Sequence, residues 1–291
     1  MASKKRLKIA VVVNRQKHGA QALLRELQTY EEANGDLEFL WEKQAAALLR
    51  THGHELATLA KKADLFLVAG GDGSLLEIAR KLFPAQVPIL GVNLGSLGFL
   101  TSLAQTEVMA ALPQIAAGRW RSSPRLALET VIHRGRKKTV IPCALNDIVV
   151  SRGSRSQLVH IRVQVGHAFV TEYECDGLIV STPTGSTAYS VSAGGPMISP
   201  ETRALALTPI CPHTLTNRSL VVGTDLPIRL QIPSQPNPLT VQFDGQSGGT
   251  LHAGDWLEIK PASAPVILAY TRDRDFYTIL RQKLRWSGAS V

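Results

Sequence analysis

Cysteine is scarce in this 291-residue chain: Cys143, Cys175 and Cys211 are the only three, and they lie far apart. They form neither a CxxC pair nor an even-numbered framework, which argues against a structural zinc site and for a reducing compartment. Long apolar runs are missing as well. The basic start, Met1 to Lys8, leads into Ile9–Val13, too short for a signal h-region. No uncharged apolar stretch approaches the roughly 18 residues of a membrane span. The reading is a soluble, cytoplasmic protein without membrane association. Two common nucleotide signatures are absent too. There is no GxxxxGK[ST], and no GxGxxG follows a strand, because the sixth position of Gly71–Leu76 is leucine. P-loop hydrolases and ordinary dinucleotide folds are thereby excluded.

What is present is a well-supplied core and an excess of positive charge. Apolar residues make up 44% and charged residues 19%, which excludes disorder, collagen and coiled coil. Thirty-two Lys plus Arg against 23 Asp plus Glu leave +9, with a pI near 9.7. That surplus suits a nucleic acid or a phosphorylated small molecule; the plainer reading is a mildly basic enzyme. The one dense basic run, Arg134–Lys138 around Gly135, lacks interleaved aromatics and reads as a solvated hairpin tip. His52 and His54 fall in a helix-like stretch, two residues apart, so they would point to different sides; no metal ligands are expected.

The first third alternates strand and helix. Lys8–Val13, Leu65–Ala69 and Pro88–Asn93 are apolar runs without period-2 alternation, as in strands buried on both faces. Gln21–Tyr30 and the stretch after Ser74 carry leucines at helical spacing. A parallel sheet covered on both faces is implied. Beyond about Trp120 the segments become short and alternating, most clearly His160–Val165, and are punctuated by Pro/Gly turns such as Pro233–Pro238 and Ala253–Asp255. This predicts an antiparallel all-β unit. Phe276–Trp286 then regains helical spacing. The expected domains are an α/β domain over residues 1–120, to which 271–291 return, and a β-rich domain over 121–270.

Gly70-Gly71-Asp72-Gly73-Ser74 lies at the carboxyl end of a buried strand, where open α/β sheets bind ligands. Three glycines permit positive φ and close approach to the backbone. The amides of such a turn and of the following helix make a phosphate site, with Ser74 as a helix cap. Asp72 is out of place among phosphates unless it holds a cation or accepts the proton of an attacking hydroxyl; a tight turn capped by Asp is the alternative. The second signal is Asp176–Pro196. Gly177 to Pro200 contains no charge but at least seven hydroxyl side chains, suited to a ribose or base edge in a dry pocket or, alternatively, to a Ser/Thr-rich turn. Asn146-Asp147 reads equally well as a site or a hairpin turn, and Phe243–Gln246 more often as a turn.

Gly70–Ser74, Asn93–Thr101, Asn146-Asp147, Asp176–Pro196, Pro209–His213 and Asp244–Gln246 together resemble bacterial NAD kinases in order and spacing, over nearly the whole of Val11–Trp286. The GGDG turn is shared with diacylglycerol and sphingosine kinases, whereas the uncharged hydroxyl-rich segment is more specific. The resemblance implies an N-terminal Rossmann-like α/β domain, a C-terminal all-β, sandwich-like domain and a C-terminal segment packed back on the first. It implies transfer of the γ-phosphoryl group of ATP, or of polyphosphate, to the 2′-hydroxyl of the adenosine ribose of NAD, with a divalent cation such as Mg²⁺. Asp72 would be the general base. Gly70, Gly71, Gly73 and Ser74 would sit at the donor phosphates. Gly73 would also touch the NAD substrate, as would Asn146, Asp147, Asp176, Thr187, Ala188, Tyr189, Ser190, Ser192 and Gln246. A homodimer or homotetramer without nucleic-acid or membrane partners is implied. Ser74, Glu77 and Glu174 depart from the usual threonine, basic residue and arginine; a lipid kinase or a non-catalytic dinucleotide sensor are the rival readings.

Overall fold

The computed structural model describes residues 6–95, 98–153, 157–214, 216–233, 237–271 and 275–286, so Ser96, Leu97 and the centre of the Pro233–Pro238 turn lie outside the described residues. The chain divides into two compact units, Met1–Pro124 with Val266–Val291, and Arg125–Pro265.

In chain order, the first unit contains β1 (Leu7–Val13), α1 (Ala20–Asn34), β2 (Leu37–Trp41), α2 (Lys43–Leu49), α3 (Leu56–Lys62) and β3 (Leu65–Gly70). It continues with α4 (Asp72–Leu82), β4 (Ile89–Asn93), β5 (Leu103–Ala104), α5 (Val108–Ala116) and β6 (Trp120–Arg125). β1 pairs in parallel with β2 and β3, and β4 pairs in parallel with β3 and β5. β3 is buried along its whole length, the signature of a strand covered on both faces. α1 turns Leu23, Leu24 and Leu27 inward, and α4 buries Leu75, Leu76, Ile78, Ala79 and Leu82.

The second unit follows with β7 (Leu128–Arg134), β8 (Lys137–Ala144), β9 (Asp147–Ser151), β10 (Val159–Val165), β11 (Ala168–Cys175) and β12 (Gly177–Ser181). The short helix α6 (Tyr189–Ser192) precedes β13 (Ala204–Ile210), β14 (Leu220–Gly223), β15 (Ile228–Gln231), β16 (Leu239–Phe243), β17 (Gln246–Leu251) and β18 (Trp256–Pro261). Two six-stranded sheets result, β11-β10-β15-β18-β7-β8 and β14-β13-β12-β9-β16-β17. All pairings of their strands are antiparallel. Alternate residues of both sheets, among them Ile161, Leu230, Leu257, Val150, Val180 and Val241, form one apolar core.

Finally β19 (Val266–Thr271) enters the first unit's sheet beside β4, with Leu268 opposite Ile89, and α7 (Phe276–Leu284) follows. This corrects one boundary. β19 was expected in the β-rich domain, but it lies between β4 and β6 in the first unit's sheet. Among the described residues, no helix is long and apolar enough to cross a membrane. His52 and His54 are also corrected: they lie between α2 and α3, outside any helix, with their rings in edge contact at 5.0 Å. Arg134–Lys138 does form the tip of the β7–β8 hairpin.

Candidate functional site

β3 ends at Gly70 and α4 begins at Asp72, with Gly71 in extended conformation as the N-cap. Asp72 therefore belongs to the first turn of the helix, where a carboxylate meets the positive end of the helix dipole. The first intrahelical bond runs from the Leu75 N–H to the Gly71 carbonyl, at 3.1 Å. The amides of Asp72, Gly73 and Ser74 thus have no acceptor within the helix. Two sequence expectations change here. Ser74 is not the cap; its Oγ accepts a hydrogen bond from Asn14 Nδ2 at 3.3 Å, tying α4 to the end of β1. None of Gly70, Gly71 and Gly73 adopts positive φ. Gly70 is instead required by space, since a Cβ there would press on the Ser74 side chain, while Gly71 and Gly73 face open space.

The Asp72 carboxylate is itself clasped. Oδ2 accepts the Phe99 N–H at 2.7 Å, and Oδ1 accepts those of Leu100 and Thr101 at 3.1 and 3.3 Å. A Cβ on Gly98 would overlap this carboxylate. The second glycine turn thus holds the aspartate of the first, a link that spacing alone did not reveal. A carboxylate has about four acceptor positions, so capacity remains on Oδ2. Beside α4 lies a cleft of about 310 Å³, lined by Asn14, Arg15, Glu42, Ser74, Glu77 and Lys81. Glu77 is not an isolated acid there, because Lys81 Nζ reaches its Oε1 at 2.5 Å.

In the second unit, Asn146-Asp147 is not a hairpin turn. β8 and β9 belong to different sheets, and the residues between them carry the chain across. Ile148 and Val150 point into the core, so Asp147 lies on the opposite face, directly across from Ser181 on β12. Asp147 is 4% exposed. Burial, and secondarily the negative charge of Asp244, push its carboxyl up to about 7. Around it Asn146 Oδ1, Ser181 Oγ and Thr184 Oγ1 are buried without hydrogen-bond partners. Buried polar atoms are rarely left so, and a group of them marks a place for a polar ligand.

The hydroxyl-rich segment divides into two roles. Thr182 Oγ1 donates to the Leu145 carbonyl at 2.6 Å, and the Thr182 N–H donates to the Asn146 carbonyl at 2.9 Å. Ser186 Oγ bonds the Pro183 and Ile198 carbonyls. Ser190, expected to face the ligand, is buried with its hydroxyl on Thr208 Oγ1 at 3.0 Å. Tyr189 and Ser192 are exposed, and Thr187 and Ala188 partly so. Gln246 is exposed at the start of β17. Asp176, between β11 and β12, is gripped by Arg152 through Nε at 2.7 Å and Nη2 at 3.1 Å. Sequence reasoning missed Arg152; Gly98 and Asp244 lay within motifs it quoted, Asn93–Thr101 and Asp244–Gln246, without a role of their own.

A family model described as the ATP-NAD kinase N-terminal domain matches residues 9–120, and one described as the ATP-NAD kinase C-terminal domain matches 145–269. The chain belongs to the ATP-NAD kinase family. An NAD kinase of Geotalea daltonii is 42% identical over 228 residues, covering 78% of this chain and 80% of that protein. One of Moorella thermoacetica is 39% identical over 282 residues, covering 97% and 90%. NAD kinases are phosphotransferases acting on an alcohol group, and the family match favours this reading over a lipid kinase or a sensor. In fold, the chain resembles yeast NADH kinase crystallised with NADH, with a TM-score of 0.89, 24% identity and coverage of 98% and 89%. It also resembles an NAD kinase from Archaeoglobus fulgidus in complex with ATP, with a TM-score of 0.73, 23% identity and coverage of 96% and 99%.

Proposed function

We propose that this chain transfers the γ-phosphoryl group of ATP to the 2′-hydroxyl of the adenosine ribose of NAD, with Asp72 as general base. The clasped Asp72 at the N-terminus of α4, in a member of the ATP-NAD kinase family, carries the reading. Phosphoryl transfer asks mainly for positioning and charge stabilisation. The unpaired amides of Asp72, Gly73 and Ser74 and the open space over Gly71 and Gly73 suit donor phosphates. Arg15 and Lys81 bring positive charge to the adjoining cleft. Asp72, fixed by backbone donors that do not titrate, keeps one carboxylate oxygen able to accept the hydroxyl proton.

On the second unit, Asn146, Asp147, Asp176 and Gln246 together with Thr187, Ala188, Tyr189 and Ser192 are proposed to receive the dinucleotide. The orphaned Asn146, Ser181 and Thr184 oxygens support this. The ATP and NADH in the two solved relatives support the same ligand classes here. Among the described residues, no group of three or more His, Cys, Asp or Glu side chains could hold a metal. Mg²⁺ fits as a companion of the triphosphate, where it would neutralise charge on the phosphate oxygens. Assembly as a homodimer or homotetramer and a cytoplasmic location belong to the same proposal. Incubation with Mg²⁺, ATP and NAD, coupled to an NADP-specific dehydrogenase, should yield NADP. No NADP above the blank, with polyphosphate also supplied, would overturn the proposal.

A further inference from the structure

We propose that Asp244 is a positioning residue that sets the dinucleotide pocket by gathering the three consecutive amides of Leu145, Asn146 and Asp147. The inference rests on the reading that Asn146 and Asp147 receive the dinucleotide. Where β8 leaves one sheet and β9 enters the other, Leu145 and Asn146 stand outside both ladders, so their amides need acceptors from elsewhere. Asp244 Oδ2 accepts the Leu145 N–H at 2.9 Å, and Oδ1 accepts those of Asn146 at 2.7 Å and Asp147 at 3.2 Å. In return the Asp244 N–H donates to the Asp147 carbonyl at 3.0 Å. The crossover is therefore pinned from one side by a single carboxylate. The same crossover carries the buried, unpartnered Asn146 Oδ1, and Asp147 opens β9.

The position is built for a fixed carboxylate. Asp244 and Gly245 are the two-residue loop of the β16–β17 hairpin, since Phe243 pairs with Gln246. Their φ values are +49° and +74°, the type I′ arrangement that favours Asn-Gly and Gly-Gly at least as much as Asp-Gly. The turn alone therefore needs no carboxylate. Asparagine would keep the turn but set a side-chain N–H₂ against one of the three amides. Glycine would keep the turn and remove every side-chain acceptor.

This separates a role in the turn from a role in the pocket. Wild type, Asp244→Asn and Asp244→Gly would be compared in steady-state phosphorylation of NAD by ATP, in calorimetric titration with NAD, and in thermal melting. The expected result is a KM and Kd for NAD raised about tenfold or more in Asp244→Gly. Asp244→Asn should be intermediate, and the melting midpoint should fall in Asp244→Gly because three amides lose their acceptor, while the KM for ATP should stay within about twofold. Unchanged NAD affinity in both variants would overturn the inference. Equal rises in both KM values would also overturn it, marking Asp244 as generally structural. A wild-type protein that makes no NADP would overturn the underlying reading and this inference with it; an active wild type with unaffected variants overturns the inference alone.

Discussion

Replacing Asp147 with asparagine should make the folded protein less sensitive to alkali. The carboxyl is 4% exposed, and burial followed by the charge of Asp244 raises it from an ordinary 3.8 to about 7. Between those two pH values the folded chain keeps a proton that the unfolded chain has released. Stability therefore falls as pH rises through this window: Asp147's contribution is whole below the unfolded value, is lost by the time pH passes the folded value, and stays lost above it. The slope is at most about 1.4 kcal/mol per pH unit and halves at the folded value, so from about pH 5.5 to 8.5 the loss is about 2 kcal/mol. At about 2–4 °C per kcal/mol, the wild-type melting midpoint should drop about 4–8 °C more than that of Asp147→Asn between about pH 5.5 and 8.5. Melting both proteins by circular dichroism at matched ionic strength isolates this difference, because every other titrating group is shared. Parallel midpoint-against-pH curves would refute the reasoning.

Asp72→Asn should lower kcat for NAD phosphorylation by at least about 10²-fold with the melting midpoint near wild type; near-normal turnover would remove Asp72 from the chemistry. Gly98→Ala forces a methyl group into the space of the Asp72 carboxylate, so it should reproduce most of that loss without altering any titratable group. Lys81→Ala removes a cation from the cleft beside α4 and leaves Glu77 without its i,i+4 partner. The KM for ATP should rise several-fold, about the worth of one partly exposed charge, with the KM for NAD unchanged. Gly185→Ala would drive a Cβ into the Asn146 backbone. It should reduce NAD affinity and melting temperature together, read by calorimetric titration and thermal melting.

Much of the scaffold was legible because burial leaves a mark on composition. β1, β3 and β4 announce themselves as apolar runs without alternation, and β10 as a clean alternation of Val159, Ile161 and Val163 with polar residues. The GGDG turn was found because glycines and an aspartate between such a run and a helix have few other meanings. β19 was misassigned because a β-rich run says nothing about which sheet it joins; that is decided by partners such as Ile89, far back in the chain. The clasps were invisible for the same reason. Asp244 reaches Leu145 across 99 positions and Asp72 reaches Phe99 across 27. Asp244-Gly245 reads from local sequence as an ordinary hairpin turn, which it is. The hydroxyl-rich segment was legible as unusual, but its division into Ser186 and Ser190 turned inward and Tyr189 and Ser192 turned outward depends on what lies beneath it.

The late entry of β19 into the first unit's sheet has a consequence for biosynthesis. Emerging from a ribosome at about 5–20 residues per second, the chain finishes the whole of Arg125–Pro265 before β19 exists. The unit that begins first is thus completed last. Until residue 271 is free, the Ile89–Leu90 part of the β4 edge, which β5 does not cover, lies open to other nascent chains, and a truncation before Val266 makes that exposure permanent.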